Sequence, residues 1–230
     1  AKPKKGTEQQ LTPPTFEAFG DNQYIEDAAK YVMDHFVDNP GGTDFVWPTN
    51  HKEAASWLKD FVDNRIDGFA DNQETIDSKA IWLYHSALSS SLNIGLLSAK
   101  QVVDAALERH KKNPVPLDSL ELFIRGVLGH REFIRAQYIS ISPATRKLNY
   151  FGHTRKMTGE WLSGNLGLPP NDGIMQKIKS HGYTHDVERA EMAVNLMLLA
   201  EIDPEQINKW FKSMFVDSYD WVTAPNVYRM

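Results

Sequence analysis

The sequence contains no cysteine. That excludes disulfides, thiolate nucleophiles and any cysteine-ligated zinc or iron–sulfur centre. It fits the cytoplasm or another reducing compartment. Long apolar runs are missing too: none approaches the roughly 20 residues that a membrane-spanning helix needs. Residues 1–10 are Lys-rich and polar, without the apolar stretch of a signal peptide, and no Met stands at the start. No glycine-rich phosphate loop of either standard type is present, and no internal repeat. Positive charge is not in excess: the net charge is −5, a weak argument against nucleic-acid binding.

What is present is an ordinary globular balance, 41% hydrophobic and 24% charged over 230 residues, enough for one sizeable domain or two small ones. The charge is unevenly spread. Residues 1–80 hold 8 Lys and Arg against 15 Asp and Glu, whereas residues 81–230 hold 17 against 15. Residues 125–156 carry seven basic side chains and one acid, Glu132. Such a stripe suits phosphates, and it equally suits a solvated helix face; charge alone does not separate the two.

Residues 1–20 read as a linker, ending in Thr12-Pro13-Pro14, which blocks a helix. Asp21 is placed to cap a helix through about residue 37, with Tyr24, Ala28, Tyr31, Val32 and Phe36 on one face. Thr49 or Asn50 starts a second, in which Ala54, Trp57, Leu58, Phe61 and Val62 repeat at helical spacing. Ser98 is a good cap for a third, to about residue 111. Residues 117–138 predict one long helix, and residues 140–172 a long ordered loop or several short pieces. Further helices are predicted over 171–180, 184–200 and, from Asp203-Pro204, to 216. Period-two alternation is scarce. The expected class is all-α.

Few residues carry chemistry by themselves. His181 and His185 are four apart, as metal ligands on one helix face would be, but Gly182 between them points to a helix boundary, and no metal site is expected. Residues 183–189 (Tyr-Thr-His-Asp-Val-Glu-Arg) are a polar run before a core-like one. They suit a capping cluster with an Arg–carboxylate pair or a ligand pocket at a helix start. The six tryptophans suit core anchors, or electron relays if a redox cofactor is bound.

Several segments in order are similar to the prokaryotic photolyase-related branch of the cryptochrome–photolyase family. They are Tyr84-His85-Ser86-Ala87-Leu88-Ser89 with Leu92-Asn93-Ile94-Gly95; Gly129-His130-Arg131-Glu132-Phe133-Ile134-Arg135; Thr158-Gly159-Glu160-Trp161; residues 182–189; and Asp217-Ser218-Tyr219-Asp220-Trp221 with Pro225-Asn226-Val227-Tyr228. The similarity implies a multi-helical FAD-binding domain over 21–230, incomplete at both ends. It implies light-driven electron transfer from reduced FAD to a pyrimidine photoproduct in UV-damaged DNA, the activity of a DNA photolyase, a lyase of DNA repair. FAD contacts would fall on His85, Ser86, Leu88, Ser89, Arg131, Arg189, Trp221 and Asn226. Catalytic roles would fall on His185, Asp186 and Glu132, DNA contacts on Arg125, Arg135, Arg146 and Lys147, and electron transfer on Trp161 and Trp210.

The sequence departs from the family pattern at several places. His130 stands where relatives carry Trp, and Asp186 where (6-4)-type relatives carry a second histidine. Val194 and Arg229 replace glycines. The cysteines of the iron–sulfur subgroup are missing, so no cluster is expected. These departures suit an alternative: a degenerate, cryptochrome-like or structural subunit that keeps the helical fold, binds protein partners and lacks repair activity.

Overall fold

A computed structural model describes residues 23–43, 45–77, 80–145 and 148–228. The predicted linker, the Asp21 cap, Arg146, Lys147 and Arg229 lie outside the described residues. The fold is all-α, as expected. Among the described residues the only strand-like pairing is an isolated bridge between Arg155 and Ile202. No helix among them is long and apolar enough to cross a membrane.

Caps set the first helices. The Asn50 side chain accepts from the amides of Lys52 and Glu53, both at 3.0 Å, and opens α2 (His51–Asn64). Ser98 and Gln101 form a reciprocal capping box at the start of α4 (Ala99–Lys112). The predicted stripe of α2 is buried, and fully covering rings such as Trp57 and Phe61 contributes about 2–3 kcal/mol each. It packs with α4 and α5 (Leu117–Arg125) into a first core that includes Val102, Ala106 and Phe123. A second core forms where α8 (Pro169–His181), α9 (Asn195–Leu199) and α10 (Pro204–Met214) bring together Met175, Ile178, Met197, Trp210 and Phe211.

The apolar residues of α1 (Gln23–His35) share a face that is exposed: Tyr24, Tyr31, Val32 and the following Phe36 all reach solvent. Three expectations are corrected. The long helix runs further than residue 138. α5 passes through a π-helical turn, Gly126–His130, into α6 (Arg131–Thr145), which takes the first residues of the predicted loop. The polar run after Gly182 also winds as a π-helix, Glu188–Val194, before α9. Finally, Asp220–Tyr228 is a further helix, α11, although Pro225 sits inside it. The Asn226 side chain donates to the Val222 carbonyl, and Tyr138 of α6 donates to Asp220 at 2.8 Å, tying α11 along α6. Tertiary support outweighs the loss that Pro imposes.

Candidate functional site

A cleft of about 540 Å³ opens where the two cores meet, within the usual range for ligand sites. Phe123 and Val127 of the first core, and Val194, Phe211 and Val227 of the second, supply its apolar walls. Both π-helical turns face it, one through Val127 and His130 and the other through Ala190 and Val194. Such turns recur at functional sites because the extra residue breaks the helical ladder and re-aims side chains. Residues 85–89 form another wall. Ala87 within it and Leu83 just before it have φ of 51° and 44°, in the left-handed region that a Cβ disfavours.

That strained wall is held from behind. Fully buried Arg65 donates to the His85 carbonyl at 2.6 Å and to Asp60 at 2.9 Å. The Trp57 indole donates to the Ser86 carbonyl at 3.0 Å. Core side chains thus fix the backbone and leave Ser86 and Ser89 facing the cleft.

Buried Asp217 ties the remaining walls together. Its carboxylate takes a two-pronged ion pair from Arg189, at 2.9 and 3.1 Å, and a hydrogen bond from Ser89 at 2.5 Å. Its carbonyl accepts from the Asn93 amide at 2.9 Å, and the Asn93 oxygen accepts from Arg131 at 3.1 Å. Arg131 lies over the Trp221 ring at 5.1 Å. One network therefore joins α3 (Ser89–Asn93), α6, the π-turn after Asp186, and the loop before α11. Arg189 is committed to Asp217 and to the Tyr183 and Phe215 rings. Arg131 differs: among the described residues no carboxylate pairs with it, and burial pulls its guanidinium below the usual value.

Behind this wall lies a second polar layer. The His85 and His185 rings stack at 4.3 Å and 8°. His85 lines the cleft with a buried, unpartnered Nε2; His185 is fully buried with neither ring nitrogen hydrogen-bonded. Burial pushes His85 down to about 4 and His185 to about 3, with Lys177 and Arg189 adding to the effect on His185. Glu188 approaches His185 at 3.7 Å, pairs with Lys177 at 2.6 Å and accepts from Thr184. Burial raises its carboxyl against the pull of Lys177.

The cleft gathers His85, Ser86, Leu88, Ser89, Arg125, Arg131, Asp186, Arg189, Trp221 and Asn226. It leaves others out. His185 sits one ring behind the wall. Glu132 is exposed and pairs with Arg135 at 2.9 Å, and neither lines the cleft. Arg125 is at the rim, largely exposed, paired with Glu121 at 3.2 Å. Trp161 and Trp210 are in the second core; Trp210 packs edge-on against Phe211, which reaches the cleft. The sequence reading assigned no role to Asn93 or Asp217. Both stand inside quoted motifs, but pairing across 28 residues leaves no periodic signal. Trp47, Trp57 and Trp82 form a cluster with Tyr183, which lines the cleft.

No family model matches the chain. It is 28% identical over 221 residues to a (6-4) photolyase of Agrobacterium fabrum, covering 96% of this chain and 44% of that protein. It is 34% identical over 111 residues to an uncharacterized mimivirus protein, R853, covering 48% of this chain and 84% of that protein. Among solved structures, a bacterial class III photolyase from Agrobacterium tumefaciens superposes with a TM-score of 0.69 at 24% identity, over 88% of this chain and 40% of that one. A cryptochrome from Synechocystis sp. PCC6803 superposes with a TM-score of 0.67 at 16% identity, over 80% and 39%. The chain thus spans less than half the length of the photolyase and cryptochrome chains it matches.

Proposed function

Since the chain belongs to the cryptochrome–photolyase family, we propose that its cleft holds FAD and serves light-dependent repair of UV-induced pyrimidine photoproducts in DNA. One observation carries the reading: Arg131, a half-buried cation that no carboxylate pairs with among the described residues, is fixed by Asn93 beside Trp221 in a cleft of ligand size. A desolvated guanidinium held this way calls for an anion. The donors present suit a dinucleotide. Arg125 is answered by Glu121 and Arg189 by Asp217, so Arg131 is the cleft guanidinium that no carboxylate pairs with among the described residues, and it suits a diphosphate. Ser86 offers a hydroxyl, the unpartnered His85 Nε2 awaits a polar contact, and the apolar walls suit flat rings.

Bound reduced FAD supplies an electron donor that light excites. The chain's own residues bind and exclude. Arg131 and Ser86 would take the phosphates, while Ser89 stays on Asp217. Trp221 and Asn226 would bound the ring system, and Val127, Ile134 and Val222 would keep water from it. Asp186, exposed at the cleft, would accept a hydrogen bond from a flipped base. The rim cation Arg125 would meet phosphates.

The test is a titration with FAD in the dark, followed by illumination with a UV-damaged oligonucleotide. The reading expects a protein-bound blue flavin band, quenched flavin fluorescence and loss of photoproduct only in the light. A protein that takes up no FAD overturns it.

A further inference from the structure

Residues 148–156 form a loop beyond the C-terminal end of α6. Tyr150 is 92% exposed and Phe151 is 62% exposed. The two rings meet edge to face at 5.1 Å, and Phe151 stacks on His153 at 5.5 Å. The loop is closed on itself. The Gly152 amide donates to the Asn149 carbonyl at 3.0 Å, with Gly152 at a φ of 65°. The Asn149 side chain accepts from the His153 amide at 2.9 Å and donates to its carbonyl at 2.7 Å. Arg155 then pins the far end to the body: its amide donates to Glu201, and its carbonyl accepts from Asp203. Two rings are thus presented to water on a fixed turn, where they bury little surface of their own.

The surrounding charge has one dominant sign. Between Glu132 and Glu160 the sequence holds Arg135, Arg146, Lys147, Arg155 and Lys156 and no carboxylate. Lys156 is exposed and makes no ion pair among the described residues. Arg155 pairs with Glu201 at 3.1 Å, both groups more than half exposed, a contact that solvent screens and a phosphate can replace. Glu201 and the capping Asp203 are the acids that face the loop. Rigid aromatic faces flanked by cations suit a polyanion whose bases are free to stack. A protein-docking patch would be continuous and apolar instead.

We propose that this loop is a stacking platform for the unpaired nucleotides of a single nucleic-acid strand. Tyr150 and Phe151 take base faces, and Lys156 and Arg155 take phosphates. α6 itself runs about 20 Å from Arg131 to its C-terminal end, at 1.5 Å per residue. The platform needs neither FAD nor light, so it stands or falls apart from the reading of the cleft.

Fluorescence anisotropy in the dark, at low and moderate salt, tests it with dye-labelled oligothymidylate and with an undamaged blunt duplex of equal length. The single strand is expected to bind more tightly than the duplex. Tyr150→Ala with Phe151→Ala weakens single-strand binding roughly five-fold or more per ring, with circular dichroism unchanged. Lys156→Glu lowers affinity and flattens the salt dependence. Tyr24→Ala, at an exposed ring on α1, leaves binding as it was. Equal binding of strand and duplex, no binding, or a loss that Tyr24→Ala reproduces overturns the proposal. So does a double variant that alters sedimentation while anisotropy stays the same, which would make the loop a protein contact.

Discussion

Acidification loads the His85–His185 stack. Each imidazole is held neutral in the folded protein, at about 4 for His85 and about 3 for His185, against an ordinary value of 6.5. The unfolded chain takes up both protons below that ordinary value; the folded chain does not. Stability is therefore full above about pH 6.5 and falls as the pH drops through 6.5 towards the folded values. Between about pH 7 and pH 5 each ring costs about 2 kcal/mol, so the pair costs about 4 kcal/mol. That is a large share of a typical total of roughly 5–15 kcal/mol. Protonation is unfavourable on every side: Arg65 faces His85, and Lys177 and Arg189 face His185, while Asp186 opposes them only at His85. Glu188 works in the other direction, because its raised carboxyl binds a proton more readily when folded and gives stability back as the pH falls. The variant His185→Phe isolates the imidazole term. It keeps a flat ring against His85 and removes two unpartnered buried nitrogens, so it is expected to fold at neutral pH. Urea unfolding of both proteins across this range should show the wild type losing about 2 kcal/mol more than the variant on acidification. Equal slopes for the two, or a wild-type midpoint that does not move, would refute the reasoning.

Three further outcomes follow from the contacts around the cleft. Asp217→Asn leaves Arg189 buried without its counter-charge and should cost about 3 kcal/mol in chemical denaturation. Arg131→Ala removes the cation that no carboxylate pairs with among the described residues and should weaken FAD about ten-fold or more in a fluorescence titration, with the unfolding midpoint little changed. Ser98→Ala breaks the capping box far from the cleft and should cost about 1 kcal/mol by urea unfolding while FAD binding is unaltered.

The parts of the fold that were legible in the sequence are those with a local cause. Asn50 and Ser98 cap because a short side-chain oxygen meets free amides, and the α2 stripe is buried as its period requires. The same kind of stripe on α1 is exposed, since a period states which residues share a face and not what lies against it. α11 was hidden by Pro225, a local penalty that contacts with α6 and α10 offset. The π-turns were hidden for a related reason: they depend on which carbonyl each amide selects, and residue type records that choice weakly.

The polar run at residues 183–189 shows how far motif order reaches. It brought the right segment to the cleft, and it suggested His185 and Asp186 together as chemistry-bearing neighbours. His185 ends the non-helical stretch after Gly182 and Asp186 opens the helix, and the two side chains leave the backbone in different directions. Here Asp186 is exposed at the cleft, whereas His185 is turned into the stack behind His85. The group of that pair which meets a ligand first is thus a carboxylate, an acceptor, and the imidazole acts through packing and through its refusal of a proton. A change at Asp186 should therefore move ligand contact and touch acid stability only through the charge it sets beside His85, whereas a change at His185 should move acid stability and leave ligand contact as it was. Separating the two effects in Asp186→Asn and His185→Phe, by ligand titration and by unfolding against pH, tests the geometry of the wall rather than the identity of what it binds.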